Sequence, residues 1–228
     1  MENTLSILNN IFFWVIFATV ALALINYAVR KYNARILPNK GGGLKCFSLS
    51  EFSMNDKIYY LIIAAVVIIG IGIRVWQFGS VPGGFNQDGA MAAVDGKAIA
   101  DYGTDRFGTW LPVHFYAWGY GQMSSLLSYL IAIFVKFFGL TPITARLPQL
   151  IMSIAGGVFF YLFIRDIFGK GAGLIAAVFV AINPWHFIQS RWALDCNLLP
   201  HFFMGGLYFL NKGLTKRRRY TFISMIFF

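Results

Sequence analysis

The run Met123-Ser-Ser-Leu-Leu-Ser-Tyr-Leu-Ile-Ala-Ile-Phe-Val-Lys136-Phe-Phe-Gly139 decides how the whole chain is arranged. If it crosses a bilayer, every later loop changes side; if it lies along the surface, none does. Basic residues favour the cytoplasmic side of a membrane, which supplies a test. With a crossing, Arg165, Lys170 and the cluster Lys212, Lys216, Arg217, Arg218 and Arg219 all fall outside. Without one they join Arg30, Lys31, Arg35, Lys40, Lys45 and Lys57, which places thirteen basic residues inside and six outside. The second arrangement obeys the rule. Ser125, Ser128, Ala132 and Lys136 also recur at helical spacing, a small and polar stripe suited to packing beside a bundle.

Membrane spans are expected because 58% of the 228 residues are apolar, 18% are aromatic, only 12% are charged, and the mean hydropathy is +0.64. That balance excludes an ordinary soluble domain. The net charge of +10 is not a nucleic-acid signature, since the basic residues sit in short clusters between apolar runs. Runs long enough for a hydrocarbon core of about 30 Å occur at Ile11–Val29, Ile58–Trp76, Leu147–Ile164 and Gly171–Ile188. Leu198–Leu210 is shorter and carries His201, and a last run opens at Tyr220. The fold class expected is all-α, a polytopic transmembrane bundle with two external helices lying along the membrane, its C-terminal part truncated. Residues 1–57, with the Gly41-Gly42-Gly43 linker, read as an extra helix and basic loop; 58–228 read as the module proper. Cys46 and Cys196 fall on opposite sides, so no disulfide joins them.

The external segment, about 77–146, holds Asp88, Asp95, Asp101 and Asp105, four of only nine acidic residues, and Asp195 lies in the next external loop. Within Pro82-Gly-Gly-Phe-Asn-Gln-Asp88-Gly-Ala-Met-Ala-Ala-Val-Asp95-Gly-Lys-Ala-Ile-Ala-Asp101-Tyr-Gly103, Asp88 is placed to cap a helix that Gly103 ends. Met91, Val94, Ala98 and Tyr102 would share its apolar face, with Asp95 at the edge. Asp88 is then either an N-cap or a catalytic carboxylate, and Asp95, Asp101 and Asp105 read as surface charges.

These residues carry a family resemblance. Gly-Phe-Asn-Gln-Asp88-Gly-Ala, Tyr-Gly-Thr-Asp105-Arg-Phe-Gly-Thr-Trp-Leu-Pro112, Phe-Phe-Gly139-Leu-Thr, Ala145-Arg146-Leu-Pro148, Asn183-Pro-Trp-His186 and Ser190-Arg191-Trp-Ala-Leu-Asp195-Cys-Asn197-Leu follow one another with the order and spacing of GT-C glycosyltransferases. The chain most resembles the bacterial relatives of dolichyl-phosphate-mannose protein mannosyltransferases and of the lipid A aminoarabinose transferase, over roughly 58–228. The resemblance implies transfer of a sugar from a polyprenyl-phosphate donor to a hydroxyl of a glycan, lipid or protein, at the extracytoplasmic face of a bacterial plasma membrane. It assigns Asp88 as the essential carboxylate and general base, and Asp195 as a second acidic position. Many relatives have Asp-Glu where this chain has Asp88-Gly89.

Arg191 and Arg106 are the guanidinium groups offered to the donor phosphate, although Arg191 and Asp195, four apart, also fit a simple ion pair. Asn86, His114 and His186 are the pocket candidates, His186 having an alternative as an interfacial residue beside Trp185. Trp110, Phe115, Tyr116, Trp118 and Tyr120 suit either sugar stacking or an interfacial belt. No His pair stands at i, i+4, so no metal site is expected, although some relatives use a divalent cation. A transporter would place acids inside its spans, and these lie outside them. A membrane transporter and a non-catalytic scaffold or inactive fragment remain the alternatives.

Overall fold

A computed structural model describes residues 54–117, 119 and 121–228. The expected span Ile11–Val29, the basic loop after it, Cys46, Trp118 and Tyr120 lie outside the described residues. What is described is helical, apart from one hairpin of two four-residue strands.

Helix α1 (Asp56–Val75) and helix α4 (Pro142–Phe168) are long and apolar enough to cross a membrane, as the runs 58–76 and 147–164 predict. Asn55 opens α1 by accepting the Lys57 amide, and Thr141 and Thr144 form a reciprocal capping box at the start of α4, with Pro142 in the first turn. The third expected span is broken. Helix α5 (Lys170–Ile182) stops at Asn183, and helix α6 (Pro184–Arg191) leaves it at 58°. Proline in a first helical turn needs no amide partner, so the apolar run continues through the break although the backbone does not. Helix α7 (Leu199–Thr215) follows a turn of 3₁₀-helix at Asp195–Asn197, and helix α8 (Arg219–Phe227) folds back on it, with Gly205 and Gly213 giving room for Phe227 and Thr221.

Ion pairs and hydrogen bonds fix which termini share an end. Asp56 pairs with Lys170, and Asp166 pairs with Arg165 and Lys212, so the start of α1, the α4–α5 turn and the end of α7 meet at one basic end. At the other end Arg146, in the second turn of α4, donates to the carbonyls of Phe78, Gly79, Pro82 and Gly84, just beyond α1. The chain between them leaves and returns at the same end. Met123–Gly139 therefore does not add a crossing. Its helix α3 (Ser125–Phe138) has 14 residues, about 21 Å at 1.5 Å per residue, too short for a core of about 30 Å.

Helix α2 (Gln87–Tyr102) packs along α3, and strands β1 (His114–Ala117) and β2 (Gly121–Ser124) pair antiparallel beneath them. Ala92, Phe115, Ala117, Met123, Leu127, Ile131, Val135 and Leu198 form the buried core of this layer. The stripe on α3 is partly as expected: Ser128 and Ala132 are buried, and Lys136 reaches the Ala100 carbonyl at 2.7 Å.

The face expected for α2 is corrected. Val94 and Tyr102 are exposed, and the buried residues are Gly89, Ala92, Ala93, Asp95 and Gly96. A Cβ at Gly96 would lie 2.8 Å from Ile131 Cγ2 and 3.0 Å from the Ser128 carbonyl. Small residues, invisible to an apolar count, carry the packing. Gly103 does end the helix, in the left-handed region at φ 72°.

Candidate functional site

Two corners of the α2–α3 layer carry the acidic residues, and they differ in kind. At the middle of α2, beside the loop that follows the helix, Asp95 is buried, not on the surface as expected. It accepts the Arg106 amide and guanidinium, both at 3.2 Å, and Arg106 also donates to the Tyr116 carbonyl. Burial lifts the Asp95 carboxyl above the usual range, and the two Arg106 contacts pull it part-way back. Asp105, equally buried, accepts the amides of Phe107 and Thr109 at 2.9 and 2.8 Å and shapes the loop that presents Arg106. Asp101 alone of the three stays at the surface, paired with Lys97.

The other corner is the N-terminal end of α2. Asn86 occupies the capping position and Asp88 stands in the first turn, one residue pair later than expected for a cap. The Asn86 side chain caps nothing, and its Oδ1 is buried without a partner. Gly89 permits a close approach here: a Cβ would lie 2.4 Å from the Ala193 carbonyl and 2.6 Å from Asn86 Oδ1. The first turn of α2 thus closes on the strand-like segment between Arg191 and Asp195, and the place that relatives give to Glu has no room for a side chain.

Arg191 ends α6, and residues 192–194 are not helical, so the expected helical pairing of Arg191 with Asp195 is absent. Arg191 instead donates to the Trp76 carbonyl and lies over the rings of Phe187 and Phe78. It is 3% exposed, and its Nε is buried without a partner. Asp195 accepts the Ser124 amide at 3.1 Å and the Cys196 amide at 2.7 Å. Partial burial pushes the Cys196 thiol up, and the charges of Asp195 and Asp88 add to that push. Both carboxylates therefore act on one point.

Between these parts lies a cavity of about 270 Å³, lined by Pro82, Gly84, Asn86, Arg146, Arg191 and Trp192 among others. In the sequence Arg146 stands within Ala145-Arg146-Leu-Pro148. Its signal was a charge at the mouth of an apolar run, where burial is costly and an ion needs a reason. Here its guanidinium ties the 78–84 loop into place and stacks on Phe85, 4.9 Å from the ring centre. Two guanidinium groups, with an unpaired Nε–H on one, line a space that no carboxylate is recorded as lining. That arrangement suits an anion with planar or tetrahedral oxygens.

Of the residues picked from sequence, Asn86 and Arg191 line this cavity, and Asp88 and Asp195 do not, although each stands two residues along the chain from a lining residue, Asn86 and Ala193. Arg106 is engaged by Asp95 at the other corner. His114 is exposed on β1, opposite Ser124. His186 is buried elsewhere, against Arg74 and His201. Tyr116 is exposed and Phe115 buried in the layer core. Among the described residues no group of three His, Cys, Asp or Glu side chains is placed to hold a metal ion.

Residues 123–228 match the dolichyl-phosphate-mannose-protein mannosyltransferase family. The match supports the resemblance to GT-C membrane glycosyltransferases and a mannosyltransferase-like module in a membrane. It takes in α3 to α8 with Arg146, His186, Arg191 and Asp195, and begins after Asn86, Asp88, Arg106 and His114. No curated protein and no solved structure matches the chain.

Proposed function

We propose that this chain transfers a sugar from a polyprenyl-phosphate donor to an acceptor hydroxyl, at the extracytoplasmic face of a bacterial plasma membrane. The observation that carries the reading is the pair Arg146 and Arg191, bordering one cavity with Asn86 and Ala193, each of these two residues along the chain from Asp88 or Asp195, at the end of the bundle opposite its basic cluster. Basic residues favour the cytoplasmic side, which supports an external position for the cavity.

The chemistry asks little of the protein. The donor phosphate is already a leaving group, so the site must hold its oxygens, align the acceptor and take one proton. The Nε–H of Arg191 is the donor free for a phosphate oxygen, and Arg146 adds positive charge while its own N–H groups hold the loop. Asp88 accepts the proton of the acceptor hydroxyl as that oxygen attacks the anomeric carbon, a general-base contribution of about 10² to 10⁴ in rate. Asp195 is held in place by the amides of Ser124 and Cys196. Asn86 Oδ1 offers an acceptor for a sugar hydroxyl.

The test is sugar transfer in membranes of cells expressing the chain, supplied with radiolabelled polyprenyl-phosphate sugars. Loss of transfer in Asp88→Asn at unchanged protein level supports the assignment. Equal transfer removes Asp88 from the chemistry, and no transfer by the wild type from any donor removes the reading itself.

A further inference from the structure

Three buried amide side chains from three different elements meet at one residue: Gln149 on α4, Gln189 on α6, and Asn197 in the 3₁₀ turn between α6 and α7. Gln149 Nε2 donates to the Asn197 carbonyl at 3.1 Å. Gln189 Nε2 donates to Asn197 Oδ1 at 3.0 Å. Asn197 Nδ2 in turn donates to the Trp192 carbonyl at 3.1 Å, and the Asn197 backbone amide donates to the Leu194 carbonyl at 3.1 Å.

Main-chain carbonyls fix the direction of these bonds. A carbonyl only accepts, so the amide atoms of Gln149 and Asn197 that face one must be nitrogens. With Asn197 Nδ2 committed to Trp192, the atom facing Gln189 is the oxygen, and Gln189 must present its nitrogen. Gln149 Oε1 and Gln189 Oε1 are buried without a partner. The bond to Asn197 is therefore the one that each glutamine side chain makes among the described residues. Buried amides are costly unless bonded, and here their bonding is concentrated on a single residue.

What Asn197 holds is a wall of the anion cavity. Trp192 and Ala193 line that cavity, and residues 192–194 belong to no helix or strand. Apart from a 3.4 Å bond from the Trp192 amide to Gln189, the hydrogen bonds to the backbone of 192–194 among the described residues come from Asn197. The Ala193 carbonyl is also the group that Gly89 approaches so closely, one residue after Asp88 in the first turn of α2. The two arginines are anchored independently, Arg191 on the Trp76 carbonyl and Arg146 on the 78–84 loop. We propose that Asn197 is a positioning residue: it fixes the 192–194 wall, and through the Ala193 carbonyl the approach of the α2 turn that carries Asp88. Its effect on rate rests on the sugar-transfer reading; its hold on the wall does not.

The test compares the full wild-type chain with Asn197→Ala and Asn197→Asp. Hydrogen exchange followed by mass spectrometry should show amides of 192–198 exchanging several-fold faster in both variants, with α1 unchanged. Asn197→Asp keeps the side-chain shape but has no N–H to give Trp192, so it guards against a variant that simply fails to fold. In Asn197→Ala, kcat for transfer should fall about tenfold or more, while binding of polyprenyl phosphate stays within about twofold, because both guanidinium groups keep their anchors. Unchanged exchange in both variants would overturn the proposal. So would a fall in affinity as large as the fall in kcat, which would reduce Asn197 to general support of the fold. A wild type that transfers from no donor would sink the sugar-transfer reading alone; faster exchange with intact phosphate binding would still support the hold of Asn197 on the wall.

Discussion

The two corners of the α2–α3 layer began as one acidic loop in the sequence and ended as opposites. At the Asp95 corner the donors and acceptors close on each other: Asp95 with Arg106, Arg106 with Tyr116, and Asp105 with its own turn. At the Asp88 corner the buried Asn86 Oδ1 and Arg191 Nε remain open, beside a 270 Å³ cavity. A saturated network holds a shape; an unsaturated one has bonding capacity left for a substrate. Position in the loop does not separate the two, since Asp88 and Asp95 are two turns apart on one helix. What separates them is that Arg106 closes the Asp95 corner, whereas Asn86 Oδ1 and Arg191 Nε keep bonding capacity at the other.

The largest effect that would sharpen this contrast is on rate. Asp88→Asn should lower transfer by about 10² to 10⁴ with the fold intact, whereas Asp95→Asn should leave transfer within a few fold; assays at matched protein level compare them. Next is Gly89→Ala. The new Cβ meets the Ala193 carbonyl at 2.4 Å, so α2 must back away from the 192–195 segment, and a shift of about 1 Å can cost about 10² in rate. Steady-state transfer should fall that far while thermal stability drops by only about 1–3 kcal/mol. Retained activity would mean the close approach is incidental.

Arg106→Ala should act on the other corner and through stability. It leaves Asp95 buried with only the residue-106 amide, a loss on the order of 3 kcal/mol, read as a lower thermal midpoint in detergent with little change in transfer per folded molecule. The smallest effect is pH dependence. Burial raises the folded Asp95 carboxyl above its unfolded value, so the folded state holds the proton more tightly. The corresponding stability is fully present below the ordinary carboxylate range and is lost as pH rises through the raised value. Asp95→Asn should remove that decline above the ordinary carboxylate range, as followed by thermal unfolding across pH.

Much of the frame was legible because apolar length and charge bias are sums over many residues. Ile58–Trp76 and Leu147–Ile164 became α1 and α4, and Met123–Gly139 stayed short of a crossing. The break at Asn183 was not read, because Pro184 fits a first helical turn as easily as it ends a run. The hairpin was missed because its strands are only four residues long. In the site, Asp88, Asp195 and Arg191 could be named by type and order, while Arg146's grip on the 78–84 loop depends on contacts more than sixty residues apart in sequence. Asp95 and Asp105 looked like surface charges because their burial depends on Arg106 and on the turn that carries it.

The account stands most directly on the anion cavity, so the decisive measurement is equilibrium binding of polyprenyl phosphate to the detergent-purified chain, wild type against Arg191→Lys. A single guanidinium donor at the phosphate predicts saturable binding that weakens about tenfold or more when the planar fork becomes a point charge. Equal affinity in the two proteins would contradict the placement of the donor phosphate beside Arg191 and Arg146.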